Sequence, residues 1–490
     1  MRKTIFFIAL MFSVCVFCCA SCRRESGPET SGNQEKPLED RNLERAMTLF
    51  DAALVNYFDR GGNMAMSRYF NPFTGKKSSE TGSIWMYTSS IEAVLAIMET
   101  LKSQKDHGDP EHFEQKFEYY KSILSKLFDG TRYYKGTFEL VSYTQTATWS
   151  VYAVNRASSP GSADVHGILN VYDDQMWLTR ELVKAYNLTG ERKYLAEAEH
   201  LTAYVLDGWD CTLDADGNEN GGITWGPGYV TKHSCSNGPM VSPLVWLAEL
   251  YKGKPDETSV GTISTDRTRS RKSMKKSACY LEYAEKIYAY QKEHLLHPDN
   301  GVYDDMMGGY RTGDGKVEYE TVGGRTYRKN TALYDRVGPP ISYNSGTMLS
   351  GAADLYRVTG KPGYLSDLSA LSDRSFMFFA KLGATREGYY TYEITGFRNW
   401  FNNVLMRGYV DVSPYHDASS AIDSFQQNLD YAWDNFLLKN MLPCSLLAGW
   451  NIDKTRNDVE GMFAFAFASE YAVLARHAIE KKSFNQISNE

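Results

Sequence analysis

"AYNLTGERKYLAEAEHLTAYV" at 185–205 and "LYRVTGKPGYLSDLSALSDRSF" at 355–376 repeat one design. In each, an apolar-periodic stretch runs into Thr-Gly, and a Tyr-Leu pair opens the next helix. Glycine just past the last periodic residue is a helix stop, because only glycine adopts the left-handed cap without strain. "ELYKGKPDET" (249–258) begins a third copy, interrupted by a basic, Ser/Thr-rich insertion at 259–276. Outward from these hairpins, apolar residues recur at spacings of three and four along 41–58, 82–103, 110–128, 173–188, 191–206, 237–252, 275–296, 343–358, 362–380, 397–412, 419–438 and 458–478. Twelve helices in six consecutive pairs close most economically into an all-α, (α/α)6 barrel with an inner and an outer ring. An open superhelical stack of hairpins is the alternative.

The chain has 490 residues, of which 42% are hydrophobic and 13% aromatic, enough for a large core. The 34 Tyr and 9 Trp suit sugar recognition, since an aromatic face packs on the apolar face of a pyranose. A net charge of −7 argues against nucleic acid as the partner. Arg2 and Lys3 precede the apolar run "TIFFIALMFSVCVFCC", which ends in small residues at "ASC", the pattern of a secretory signal too short to span a membrane. The ending at Cys22 resembles a bacterial lipobox, although Cys19 stands where Leu is usual. The expected organisation is a lipoprotein signal at 1–22, lipidated on Cys22, a flexible polar tether at 23–40, and one catalytic domain over 41–482 in the bacterial cell envelope. Signal cleavage with release is the alternative. Cys211, Cys235, Cys279 and Cys444 are too sparse for a disulfide scaffold; Cys211 and Cys235 flank one loop and either pair or remain buried thiols. No Cys/His spacing suits zinc, and "DADGNENGG" (214–222) lacks the sixth-position Gly and twelfth-position Glu of a calcium loop, so it reads as a turn.

Three long connections, at 130–171, 210–235 and 297–330, each precede an expected inner helix and therefore converge on one rim. At that rim "YDDQMWLTRELVKAYNLTG" (172–190) sets two adjacent aspartates at a helix start. Acidic residues in a first turn ordinarily satisfy free N–H groups and the helix dipole. Here aromatic Tyr172 and Trp177 flank them, the helix is apolar nearly all round, and the longest connection comes just before. Glycoside hydrolysis needs two carboxyl groups, one ionised and one protonated. Neighbouring Cα atoms about 3.8 Å apart let two carboxylates share one site, and like charges there resist ionising together.

The stretch 172–195, then "GGITW" (221–225), then "KHSCSNGPMVSPLVWLAELY" (232–251) resemble the core signatures of glycoside hydrolase family 76. "NGVYDD" (300–305) and "YNSGTMLSGAADLY" (343–356) resemble later blocks of that family, and the likeness spans roughly 80–475. The resemblance implies an (α/α)6 barrel and a retaining endo-α-1,6-mannanase, with Asp173 as nucleophile and Asp174 as general acid/base. It also implies that Trp177, Trp225, Asn237, Asp304, Tyr343 and Asn344 line a substrate cleft, with no metal or organic cofactor and a monomer acting on α-1,6-linked mannan. Read locally, Trp177 is equally a core residue, Asn237 a helix cap and the Asp304–Asp305 pair a turn. Pro239 after "SNG" and the insertions at 130–171 and 253–276 depart from the family pattern and bear on substrate length. The rival readings are a non-catalytic glycan-binding lipoprotein, another (α/α)6 glycosidase, and a transglycosidase using the same pair.

Overall fold

The computed structural model describes residues 36–59, 62–308 and 316–487. The apolar leader, Cys22 and the first part of the tether lie outside the described residues. Twelve helices are described. The inner ring is α2 (Ile84–Asp106), α4 (Tyr172–Thr189), α6 (Val241–Leu250), α8 (Ser342–Thr359), α10 (Arg398–Val412) and α12 (Gly461–Ile487). The outer ring is α1 (Leu38–Tyr57), α3 (Glu111–Thr131), α5 (Arg192–Asp207), α7 (Lys276–Leu295), α9 (Pro362–Phe379) and α11 (Ser419–Phe436). Each inner helix touches the next around the circle, and α12 returns to α2, so the ring closes as an (α/α)6 barrel. The open stack is thereby excluded. Helix α1 packs on α12 and α2, so the two ends of the chain supply the last hairpin of the ring.

The helices sort between rings by how much of their surface is apolar. On α4 almost every side chain from Tyr172 to Val183 is buried. On outer α11 burial falls at Ala421, Phe425, Leu429 and Ala432, one stripe at a spacing of three and four. The repeated Thr-Gly turns end α4 and α8 as expected: Gly190 at φ 69° and Gly360 at φ 66° are left-handed caps whose N–H groups donate to Tyr186 and Tyr356 carbonyls. Among the described residues no helix is long and apolar enough to cross a membrane.

Two expectations are corrected. The helix expected over 237–252 begins only at Val241, after a 3-10 turn at Gly238–Met240. Pro239 lacks an N–H, and the Asn237 backbone at φ −134°, ψ −69° is not helical. The expected loops also contain antiparallel hairpins: Lys135–Val141 pairs with Thr146–Tyr152, Tyr319–Val322 with Arg325–Arg328, and Glu257–Ile263 with Arg269–Lys275. The first alternates in burial as a one-sided strand does, with Phe138 and Leu140 inward. Phe138 and Trp149 both lie edge-on to Tyr204 of α5, which docks this hairpin on the outer ring.

Candidate active site

All six inner helices start at the same end of the barrel, and the connections that enter them cover that end. The first turn of α4 carries the aspartate pair. Its Tyr172 N–H donates to the Trp225 carbonyl at 2.8 Å, which ties the helix start to the Gly-Gly loop. Val171 occupies the N-cap and supplies no side-chain cap. Asp173, half-buried, accepts from the Asp174 N–H at 3.0 Å through Oδ1 and from Trp225 Nε1 at 3.3 Å through Oδ2. Burial pushes its carboxyl up to about 6, against the downward pull of hydrogen bonds from the Cys235 thiol and the Trp225 indole. Asp174 is only 5% exposed, and among the described residues no donor reaches its carboxylate. Burial and then the charge of Asp173 push it well above the ordinary carboxylate range. Helix capping accounts for neither group fully. The two environments favour ionisation of Asp173 over that of Asp174, the kind of difference that a pair of glycosidase carboxylates can use.

The loop that holds Asp173 is stitched from several directions. Gly222 sits at φ 74°, and a Cβ there would lie 2.4 Å from the Tyr290 ring, so only glycine brings the strand past that tyrosine. Asn237 is fully buried, and its amide bonds the Ile223 N–H at 2.9 Å and the His233 carbonyl at 2.7 Å. It supports the loop rather than lining a cleft or capping α6. Buried Lys232 pairs with Asp210 at 2.8 Å and caps the Gly221 carbonyl at 2.6 Å. Trp225 stacks on His233, ring centroids 4.9 Å apart, and packs on Tyr229. Arg328, from the 319–328 hairpin, donates to the Pro227 carbonyl at 3.2 Å and to the Tyr229 carbonyl, while its own N–H bonds Ser142. Three sequence-distant connections thus meet behind Trp225.

The remaining expected site residues divide. Tyr343, at the start of α8, bonds the Cys235 thiol and so joins Asp173. Trp177 lies one turn down α4, 4% exposed and edge-on to Trp400 at 4.9 Å: it is part of the barrel interior, not a cleft platform. Asn344 is fully buried, and its amide donates to the Asp304 carbonyl at 3.3 Å. The Asp304 carboxylate faces Arg336 Nε at 3.4 Å. Its neighbour Asp305 is the one whose charge bears on Cys235 and Tyr343, and burial pushes it up to about 6.

Cys235 was read from the sequence only as a possible partner of Cys211, Asp305 only as part of the Asp304–Asp305 pair, and Arg328 was not picked out at all. Nor was the half-buried ledge of Trp85, Phe397 and Phe401, where Trp85 stacks on Phe401 at 5.8 Å and Phe401 on Tyr343 at 4.5 Å. The signals were available, since Trp85 and "NWF" (399–401) open inner helices just as the aspartates do. Cys211 and Cys235 are both buried free thiols. Asp214 accepts from the N–H groups of Asp216 and Asn218, a turn as expected. Among the described residues one group, Asp40, Asp109 and His112, brings three potential metal-ligand atoms within 4.8 Å of one another. It lies at the end of the barrel opposite Asp173, where Asp109 also accepts from the first N–H of α3.

The family profile described as glycosyl hydrolase family 76 matches residues 88–256 and 272–436. The chain belongs to glycoside hydrolase family 76. It is a glycoside hydrolase, and both carboxylates fall inside the matched region. Solved structures of family 76 share the fold. A mannosidase from Bacteroides thetaiotaomicron is 20% identical, with 90% of this chain and 100% of that one covered at a TM-score of 0.65. An α-1,6-mannanase from Salegentibacter is 18% identical, over 89% and 99%, at 0.56. A form of the latter described as inactive, with two consecutive aspartates replaced by alanine and α-1,6-mannotetraose bound, is 17% identical over 89% and 98%, also at 0.56. No curated protein matches by sequence.

Proposed function

We propose that this family 76 enzyme is a retaining endo-α-1,6-mannanase. The observation that carries the reading is the split environment of the adjacent carboxylates: Asp173 bonded by an indole N–H and a thiol, Asp174 buried without a donor. The bound α-1,6-mannotetraose of the Salegentibacter variant, inactive once two consecutive aspartates are removed, supports the same substrate and the same pair here. In the first step Asp173 attacks the anomeric carbon while Asp174 gives its proton to the departing glycosidic oxygen. In the second, Asp174 takes a proton from water, which displaces Asp173 and regenerates the acid. Trp225 and Cys235 hold the nucleophile as an anion, and the Trp85–Phe401 ledge offers an aromatic face to a sugar ring.

Incubation with unbranched α-1,6-mannan, with sizing of the products and NMR of the first anomer formed, tests this. Oligosaccharides that retain the α configuration are expected. Mannose alone makes the enzyme end-acting, an inverted anomer removes the covalent step, transfer to a sugar acceptor makes it a transglycosidase, and no product leaves a glycan-binding role. The leader at 1–22 supports a lipoprotein of the bacterial cell envelope anchored through Cys22; Cys22→Ser is expected to release the protein from the membrane fraction.

A further inference from the structure

The connections 380–397 and 437–460 each lead from an outer helix to the start of an inner one, so they lie at the same end of the barrel as Asp173. Beneath them, against α10, α11 and α12, is a cavity of about 80 Å³. At 10–15 Å³ per water, that is room for about five to eight waters, the scale of one pyranose ring. Thr391, Ile394 and Ser445 stand half-buried at its mouth, while Tyr392, Asn428 and Glu470 line its depth.

Glu470 is 2% exposed and, among the described residues, has no hydrogen-bond partner. Burial pushes its carboxyl well above the ordinary range, with the charge of Arg407 opposing. Asn428 spends its amide N–H on the Tyr390 carbonyl at 2.9 Å and leaves Oδ1 without a partner. Buried polar groups left in this way cost free energy that a hydroxyl-bearing guest restores. Among the described residues no cationic side chain lines the cavity, which disfavours carboxylated or sulfated sugars. One wall reaches the catalytic side: Asn402 accepts from the Ser342 hydroxyl at 2.9 Å, beside Tyr343.

We propose that this cavity is a second saccharide subsite, which takes one neutral hydroxylated sugar unit and meets its hydroxyls with Glu470 and Asn428. That the unit is a mannosyl residue of the substrate, either a branch or a distal residue of the chain, rests on the proposed function. The cavity then adds hold on long or branched mannan without touching the scissile bond.

Three variants of the full chain test it: Glu470→Leu, Glu470→Gln, and Ile394→Trp, which plugs the mouth without altering a buried residue. Two readouts are used, saturation-transfer NMR with methyl α-mannopyranoside and hydrolysis of short oligosaccharides against mannan polymer. Glu470→Leu and Ile394→Trp are expected to lose most of the saturation transfer and to raise KM on polymer at least fivefold. Their kcat/KM on the short substrate stays within twofold, and Glu470→Gln retains binding. Unchanged transfer and unchanged polymer KM in Ile394→Trp overturn the subsite. A wild-type enzyme that leaves mannan uncut, yet loses saturation transfer in Ile394→Trp, keeps the subsite and removes the mannanase reading. Saturation of methyl α-glucopyranoside but not of the mannoside overturns the mannosyl assignment.

Discussion

Asp173 and Asp174 are neighbours in sequence and opposites in chemistry, and the difference is testable one residue at a time. Asp173→Asn and Asp174→Asn should each lower kcat by ~10³-fold or more. Both should also stabilise the fold, with a definite pH sign. A carboxyl whose folded pKa is raised contributes stability that is fully present below its unfolded value and lost as pH rises through the folded value. For Asp173, which moves from 3.8 to about 6, the cost grows between those limits and reaches at most about 3 kcal/mol at 1.36 kcal/mol per unit. Melting of Asp173→Asn should therefore match wild type at pH 4 and exceed it at pH 7. Two further substitutions should move the acid limb of the kcat/KM profile in opposite directions. Trp225→Phe removes an N–H that favours the anion and shifts the limb to higher pH; Cys235→Ser supplies a stronger donor and shifts it lower. The paired acids and Trp225 were legible in the sequence because aromatic residues flank the acids, the helix they open is apolar nearly all round, and Trp225 follows Gly-Gly in a polar loop. Cys235 was not, since a thiol beside an aspartate in space carries no local signal in the chain. The same holds for Asp304 against Asp305: alternation along the chain sends one carboxylate to Arg336 and the other toward Tyr343, and nothing in "NGVYDD" says which.

At the scale of elements, the helices were readable to within a few residues and the hairpins were not. Helical stretches such as 173–188 and 343–358 carry a long 3.6-residue period and a repeated glycine stop, as Gly190 after α4 and Gly360 after α8 show. Of the strands at 135–141 and 146–152 only the first alternates cleanly in burial, and the hairpin docks through Phe138 and Trp149 on Tyr204, a distant contact that no local pattern announces. Those hairpins matter because they hold the Trp225 loop. Arg328→Ala deletes its bonds to Pro227 and Tyr229. It should reduce kcat about tenfold through misplacement of Trp225 and Asp173, with little change in melting temperature and a KM that moves less than kcat. Gly222→Ala is the opposite kind of change. Its positive φ and the Tyr290 ring in the path of a Cβ should destabilise the protein by about 2–3 kcal/mol, read by chemical denaturation.

For the whole molecule, the number and pairing of helices in the sequence were enough to anticipate a ring, but not how the ring is sealed. Sealing falls to α1, whose Leu43, Met47, Phe50 and Leu54 are buried where the first helix meets the last. Removal of residues 1–36 should leave activity and melting unchanged, to within about 2 °C. Removal of 1–58 should abolish the cooperative thermal transition rather than trim it, because α12 and α2 lose their shared outer partner. The same arrangement governs biogenesis. The oily stripe of the opening helix has no mate until the closing helix leaves the ribosome, so a nascent copy stays incomplete for as long as it is being made. An enzyme that cannot finish itself early stays open and idle until its final segment has been made.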